Sequence, residues 1–319
     1  MRILINTLAP LQKWFLDELD ALGETAFLHK LSSEKKEEFL KDSELMVCSG
    51  GSRADADLIK AMPKLKLITV YGTGYDGIAV DECKKLGIAV TNTPGVMKED
   101  VADTACALLL NCTRRFAQAY RHIKNGDWLK SSFSLSPSLH GMHTGIAGMG
   151  VIGKEIARKL SLGFDCEVAY FARHEQRDLP YRYFDDLTKL ASWAQALILI
   201  LPGGKNTFHI VNDQVLKALG PEGVLINVGR GSLVDTRALI KALDEHAIFG
   251  CGLDVFEREP CMPHELLRQD RALLLPHVGS ATTYSRDAMA KCVLDNIREF
   301  LKNGRTKTPV PELKGNLQK

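Results

Sequence analysis

Short apolar runs alternate with stretches of helical period twice along this chain, once over residues 1–95 and again from Thr144 onward. That alternation constrains the fold more than any other feature. An apolar run, an amphipathic helix and a further apolar run make the pattern of parallel strands joined by crossover helices. In the first series residues 2–6, 45–48, 65–70 and 88–91 read as strands, and 11–22, 33–41 and 54–62 as helices. In the second, strands are expected at 144–147, 167–171, 196–201, 224–228, 249–254 and 272–275. Between the two series, Val101, Ala105, Leu108, Leu109 and Cys112 fall on one stripe of a long helix. Residues 117–140 are more polar, carry Gly126 and Pro137, and read as a helix followed by a loop or arm. A final helix is expected over 285–302, and then a tail with Pro309 and Pro311, exposed or lightly docked.

The bulk properties narrow the class. At roughly 100–200 residues per domain, 319 residues make two domains. A chain 45% hydrophobic and 25% charged has the ordinary globular balance. A net charge of +2 gives no strong pull toward nucleic acid or an anionic membrane. No apolar run approaches the ~20 residues of a membrane span. The opening Met-Arg-Ile-Leu-Ile-Asn-Thr lacks an apolar signal segment with a small-residue cleavage site, so the cytoplasm is the expected location. None of the 8 cysteines forms a C-x-x-C pair. Dispersed through apolar segments, they read as small hydrophobes rather than a disulfide framework or zinc ligands, and no metal is expected.

Gly148, Met149, Gly150, Val151, Ile152 and Gly153 have the G-x-G-x-x-G spacing, after a short apolar run and before a helical one. Dinucleotide binding needs that order. The first glycine makes a tight turn, the second admits a pyrophosphate, and the third lets helix pack on strand. The helix N-terminus then faces the anion. The next strand is followed by Ala172, Arg173 and His174, with Arg177 nearby and no acid to bind a ribose diol. A cationic fork suits a 2′-phosphate, so NADPH is the expected cofactor, with NADH possible. A solvated basic loop is the competing reading.

Ligands of open α/β sheets bind at the carboxyl ends of strands. Four consecutive expected strands close there on Leu201 and Pro202, on Val228, Gly229 and Arg230, on Asp254, and on Pro276 and His277. A charged loop follows Asp254, and its spacing does not choose between Glu257 and Glu259. An arginine, a carboxylate and a histidine beside a nicotinamide site can transfer hydride to a 2-keto acid. The arginine fork binds the carboxylate and polarises the keto group. A protonated histidine gives its proton to the carbonyl oxygen. A neighbouring carboxylate favours the imidazolium.

Thr91-Asn92-Thr93-Pro94-Gly95, Gly148–Gly153, Asn227-Val228-Gly229-Arg230-Gly231, the stretch Gly252-Leu253-Asp254-Val255-Phe256-Glu257-Arg258-Glu259-Pro260, and Pro276-His277-Val278-Gly279-Ser280-Ala281-Thr282 together resemble the D-2-hydroxyacid dehydrogenase family. The likeness covers nearly the whole chain in order. It is greatest to the NADPH-linked glyoxylate/hydroxypyruvate reductases and plant hydroxyphenylpyruvate reductases. The resemblance implies an α/β protein of two doubly wound parallel-sheet domains. A Rossmann cofactor domain, residues 96–283, is inserted into a flavodoxin-like substrate domain of residues 1–95 and 284–319. It selects Glu259, which precedes proline, as the partner of His277, with Arg230 completing the catalytic set. It places Asp254 at the nicotinamide carboxamide and Gly279 at the cofactor. It also implies that the backbone of Gly72, Thr73 and Gly74 binds the substrate carboxylate, where little side chain is tolerated. Domain closure would exclude water. A homodimer is implied, with the segment near 115–140 reaching across and Trp128 either lining the partner's site or packed in the interface. One departure is Val151, where many relatives carry a basic residue.

The alternatives are a phosphoglycerate or 2-ketogluconate type of D-2-hydroxyacid dehydrogenase, a non-catalytic dinucleotide-sensing co-repressor, and formate dehydrogenase. Phosphoglycerate dehydrogenases typically carry the ribose-binding acid that is missing here. The intact set counts against the co-repressor, and Glu259 counts against formate dehydrogenase, which pairs its histidine with glutamine. Ser49-Gly50-Gly51-Ser52 suggests room near the substrate.

Overall fold

In a computed structural model describing residues 1–314, the apolar runs of the first series become strands of one parallel sheet. The order along the chain is β1 (Arg2–Asn6), α1 (Lys13–Leu22), β2 (Glu24–Phe27), α2 (Ser33–Asp42), β3 (Ser43–Ser49), α3 (Ala56–Lys60), β4 (Leu67–Tyr71), α4 (Val80–Leu86) and β5 (Ala89–Thr91). Among the described residues the sheet has five strands in the order β2-β1-β3-β4-β5, the flavodoxin arrangement. Leu4, Met46, Ile68 and Val90 are register partners in one row across it. Each is fully buried, because helices cover a parallel sheet and leave its strands largely apolar. The sequence reading missed β2. Its Glu24-Thr25-Ala26-Phe27 is an edge strand paired with β1 alone, only partly buried and so without a continuous apolar run.

The chain continues through α5 (Lys98–Arg114), α6 (Phe116–Lys124), β6 (His143–Ala147), α7 (Val151–Gly163), β7 (Glu167–Phe171), β8 (Arg182–Phe184), α8 (Leu187–Trp193), β9 (Ala196–Leu199), α9 (Asp213–Leu219), β10 (Val224–Asn227), α10 (Thr236–Asp244), β11 (Gly250–Leu253), α11 (His264–Leu267), β12 (Ala272–Leu274) and α12 (Thr283–Asn303). Its seven-stranded parallel sheet runs β12-β11-β10-β9-β6-β7-β8, the Rossmann order extended by one strand. Strand β8 was also missed, being three half-exposed residues at the sheet edge. The order reverses at β6, so the turn after β6 lies at the switch point where such sheets take ligands.

The chain divides into two compact units, Met1–Met97 with Thr282 onward, and Lys98–Ala281. Helix starts set these boundaries. Helix α5 begins at Lys98, and Thr282 caps α12 by accepting from the Ser285 N–H at 3.0 Å. Within the first unit α12 packs on β4 and α1. Its fully buried Asn296 accepts from the backbone N–H groups of Lys307 and Thr308, both at 2.9 Å. The chain thereby turns back, and Val310 N–H donates to Val90 O at 3.0 Å. Val310 and Leu313 are buried, so this part of the tail belongs to the core rather than being exposed or lightly docked. The rest of the expected tail, residues 315–319, lies outside the described residues. Among the described residues no helix is long and apolar enough to cross a membrane.

Candidate active site

Every strand of the second sheet points the same way, so the segments after β6, β7, β9, β10, β11 and β12 all emerge at one edge. After β6 comes the glycine-rich turn. Gly148 has φ of +108°, and a Cβ there would lie 2.8 Å from Ile200 O, so only glycine fits. A Cβ on Gly153 would overlap the carbonyl oxygen of Gly148, which closes α7 onto the turn. A Cβ on Gly150 meets nothing within 4 Å. The middle glycine therefore borders open space at the N-terminus of α7, where no side chain caps the helix. That is the cradle a pyrophosphate needs, with Met149 buried beneath it and Val151 exposed on the first turn.

After β7, Ala172 leads to Arg173 and His174, both exposed. Strand β9 ends at Leu199, two residues earlier than the sequence pattern indicates. Ile200 N–H makes the last ladder bond, to Ala147 O at 2.9 Å, and Pro202 has no N–H to continue. Leu201 and Pro202 thus form the exit from the strand.

After β10 the buried Asn227 shapes the turn that carries Arg230. Its side chain accepts from Gly229 N–H at 3.1 Å and donates to Arg230 O at 2.8 Å. The Arg230 guanidinium donates to Gly229 O at 2.9 Å. A Cβ on Gly231 would overlap the Phe256–Glu257 peptide, so the Arg230 turn lies directly against the loop after β11. Sequence reasoning gave Asn227 no role. Its only signal was its place in the Asn-Val-Gly-Arg-Gly run.

The loop after β11 places the two candidate carboxylates on different partners. Glu257 accepts from Thr236 N–H at 3.0 Å and pairs with His209 Nε2 at 3.1 Å. Glu259 Oε1 accepts from Phe256 N–H at 2.8 Å, and its Oε2 lies 2.5 Å from His277 Nδ1. Burial pushes the Glu259 carboxyl up, but its bond to His277, the charges of His277 and Arg230, and the Phe256 N–H outweigh this. The carboxyl is held below the usual carboxylate range. Arg230, Glu259 and His277 are thus brought to one neighbourhood.

His277 follows β12 with φ of +54°, a left-handed conformation uncommon for a side-chain-bearing residue. Asp254 fixes that turn. Its two carboxylate oxygens accept from Val278 N–H at 2.7 Å and Gly279 N–H at 2.8 Å. A Cβ on Gly279 would lie 2.8 Å from Asp254 Oδ2, so glycine is needed there for packing. Burial raises the Asp254 carboxyl above its usual value, even though those two N–H groups and the His277 charge pull it down. Among the described residues no group of three or more His, Cys, Asp or Glu could hold a metal.

In the first unit the Gly72-Thr73-Gly74 loop follows β4 and is tied to the Thr91–Gly95 motif after β5. Thr93 N–H donates to Gly72 O at 3.0 Å, Thr73 Oγ1 to Thr93 O at 3.1 Å, and Asn92 Nδ2 to Thr73 O at 2.7 Å. The Ser49–Ser52 turn lies alongside, with Gly50 N 3.6 Å from where a Gly72 Cβ would sit.

Residues 106–279 match the family model for the NAD-binding domain of D-isomer specific 2-hydroxyacid dehydrogenases. The chain is 41% identical over 265 residues to a glyoxylate/hydroxypyruvate reductase A of Arabidopsis thaliana, covering 83% of this chain and 84% of that one. It is 40% identical to a hydroxyphenylpyruvate reductase of Plectranthus scutellarioides, with the same coverage of 83% and 84%. Among solved structures it is similar to an NADPH-dependent glyoxylate/hydroxypyruvate reductase of Sinorhizobium meliloti in complex with NADP and malonate. The TM-score is 0.88 at 40% identity, over 98% of this chain and 97% of that one.

Proposed function

The chain belongs to the D-isomer specific 2-hydroxyacid dehydrogenases, and on that premise we propose that it reduces a small 2-keto acid, glyoxylate or hydroxypyruvate first among them, to the D-2-hydroxy acid with NADPH. The observation that carries this reading is the Glu259–His277 pair at the edge of the sheet that also bears Arg230 and the glycine-rich turn. The second unit is the cofactor domain in this reading, and the first the substrate domain. Gly148–Gly153 and the N-terminus of α7 hold the pyrophosphate. Arg173 and His174 take the 2′-phosphate, while Leu201, Pro202, Val228, Gly229, Asp254 and Gly279 border the nicotinamide half. When bound, the cofactor supplies the hydride.

The protein's residues do the rest. Arg230 grips the keto-acid carboxylate and polarises the carbonyl. Within the first unit, the backbone N–H groups of Gly72, Thr73 and Gly74 are the groups suited to a substrate carboxylate. His277 donates a proton from Nε2 to the carbonyl oxygen. Glu259, bound to Nδ1, fixes the ring and stabilises the imidazolium. The asymmetry is built into the pair, since Nδ1 is occupied by the carboxylate.

A homodimer is part of the same proposal. Phe116, Tyr120 and Ile123 form an exposed stripe on α6 at i, i+4 and i+7, continued by exposed Trp128, Leu129 and Leu135. The proposal includes a cytoplasmic location, where eight free thiols stay reduced.

Steady-state NADPH oxidation with glyoxylate and hydroxypyruvate tests the reading. The wild-type rate should exceed that of His277→Ala by roughly 10²–10⁴-fold, the usual worth of a positioned general acid. Equal rates would remove the enzyme assignment.

A further inference from the structure

The loop between β7 and β8, which carries Arg173 and His174, is held from three directions. At its start, Tyr183 Oη donates to Ala172 O at 3.2 Å. At its middle, Gln176 N–H donates to Tyr170 Oη at 2.8 Å, and that hydroxyl donates back to Gln176 O at 3.3 Å. From its side chain, Gln176 Nε2 donates to Met149 O at 2.7 Å, inside the glycine-rich turn. Tyr170 and Tyr183 are register partners on adjacent strands, with ring centroids 5.5 Å apart. Tyr170 is fully buried, so its hydroxyl is a fixed anchor for a loop that is otherwise largely exposed. The Lys154–Asp178 ion pair, at 3.8 Å, adds a fourth and exposed link that is worth little.

From this geometry we propose that Gln176, anchored by Tyr170, is a specificity-determining residue that pre-positions the Arg173–His174 loop for a 2′-phosphate. The inference rests on the reading of Arg173 as the 2′-phosphate ligand. Arg173 and His174 are exposed. A long cation on a free loop loses rotamer and backbone entropy when it grips an anion. The Gln176 bridge fixes much of that backbone in advance, and fixes it relative to the turn that holds the pyrophosphate. Distance between the two phosphate sites is the quantity so controlled, and it matters only for a cofactor that carries both.

The glycine-rich turn does not depend on Gln176. Gly148 N–H donates to Phe171 O and Lys154 N–H to Gly150 O, both at 2.9 Å, and Gly153 packs on Gly148 O. Losing the Gln176 side chain therefore uncouples the recognition loop from the glycine-rich turn and leaves the pyrophosphate cradle. NADPH use should fall while NADH use holds.

The test compares Gln176→Met, which keeps the bulk and removes the donor, with wild type and Arg173→Ala. Kinetics are measured with both cofactors, and calorimetry measures binding of 2′,5′-ADP and of ADP. Gln176→Met should lower kcat/KM for NADPH and the affinity for 2′,5′-ADP by roughly three- to tenfold, the worth of one such hydrogen bond. NADH kinetics and ADP affinity should stay within about twofold, and Tyr170→Phe should share the pattern. Equal losses for both cofactors, or no change in 2′,5′-ADP affinity, would overturn the inference. Arg173→Ala separates the two readings. If it abolishes the preference for 2′,5′-ADP while Gln176→Met does not, only the role of Gln176 fails. If neither variant changes that preference, the 2′-phosphate assignment itself fails.

Discussion

His277 Nδ1 lies 2.5 Å from Glu259 Oε2, which leaves Nε2 as the ring nitrogen able to meet a substrate. The carboxylate that holds the ring is itself held by the Phe256 N–H, so the pair is anchored to the loop after β11 rather than floating at the surface.

This relationship sets a pH dependence. The Glu259 carboxyl is held below its ordinary value, so it stays charged until pH falls beneath the usual carboxylate range. Its contribution to stability is present above the unfolded value and is lost as pH falls through the folded one. Glu259→Gln removes the charge that favours the imidazolium. The rate of keto-acid reduction should then fall by roughly tenfold or more, and the acid-induced loss of stability should become shallower. An acid-unfolding profile identical to that of the wild type would mean that the two groups are not coupled.

The glycines of the cofactor turn should separate binding from folding. Gly150 has φ of −79°, which alanine tolerates, and open space beyond. Gly150→Ala should leave thermal stability within about 0.5 kcal/mol while weakening NADPH binding roughly tenfold or more, because the methyl occupies the phosphate's space. Gly153→Ala should cost about 1–3 kcal/mol of stability before any ligand is added, since its methyl meets backbone that cannot yield. Thermal melts with and without NADPH distinguish the two.

Asn92 supports the Gly72–Gly74 loop through its bond to Thr73 O. Asn92→Ala should raise the KM for keto acid by roughly fivefold, the worth of one buried hydrogen bond, and leave 2′,5′-ADP affinity alone. A change in 2′,5′-ADP affinity as well would mean that Asn92 does not act through the Gly72–Gly74 loop alone.

Ile123 lies on the exposed stripe of α6 and is 60% exposed. A glutamate there should be harmless to a monomer and disruptive to an apolar interface. Sedimentation should find the wild type dimeric and Ile123→Glu monomeric at micromolar concentration. An unchanged dimer would place the interface elsewhere.

Much of this architecture is legible in the sequence because a covered parallel strand is apolar at nearly every position. Leu67–Tyr71 and Ala196–Leu199 are buried throughout and stand out for that reason. The edge strands Glu24–Phe27 and Arg182–Phe184 carry no such requirement and leave no such mark. The missed β8 also concealed the support of the cofactor loop, since Tyr183 has meaning only as the neighbour of Tyr170. Glu257 and Glu259 were indistinguishable by spacing for a physical reason. Each has a histidine to pair with, and only the path of the loop decides which one faces His277. Asn92 and Asn227 were visible as letters within motifs, but their work is to bond backbone atoms of neighbouring turns, which no periodicity records.

The division of the chain also dictates an order of events during synthesis. Residues 98–281 are contiguous and contain every strand of their own sheet. The first unit lacks α12 and the Val310 segment, which joins β5 through Val90, until residues 283–310 have been made. On the ribosome the unit begun first is therefore the one completed last, and its sheet waits with an open face while the inserted unit folds. Nascent chains stalled just after Ala281 has emerged should protect the second unit from protease and leave the first cleavable.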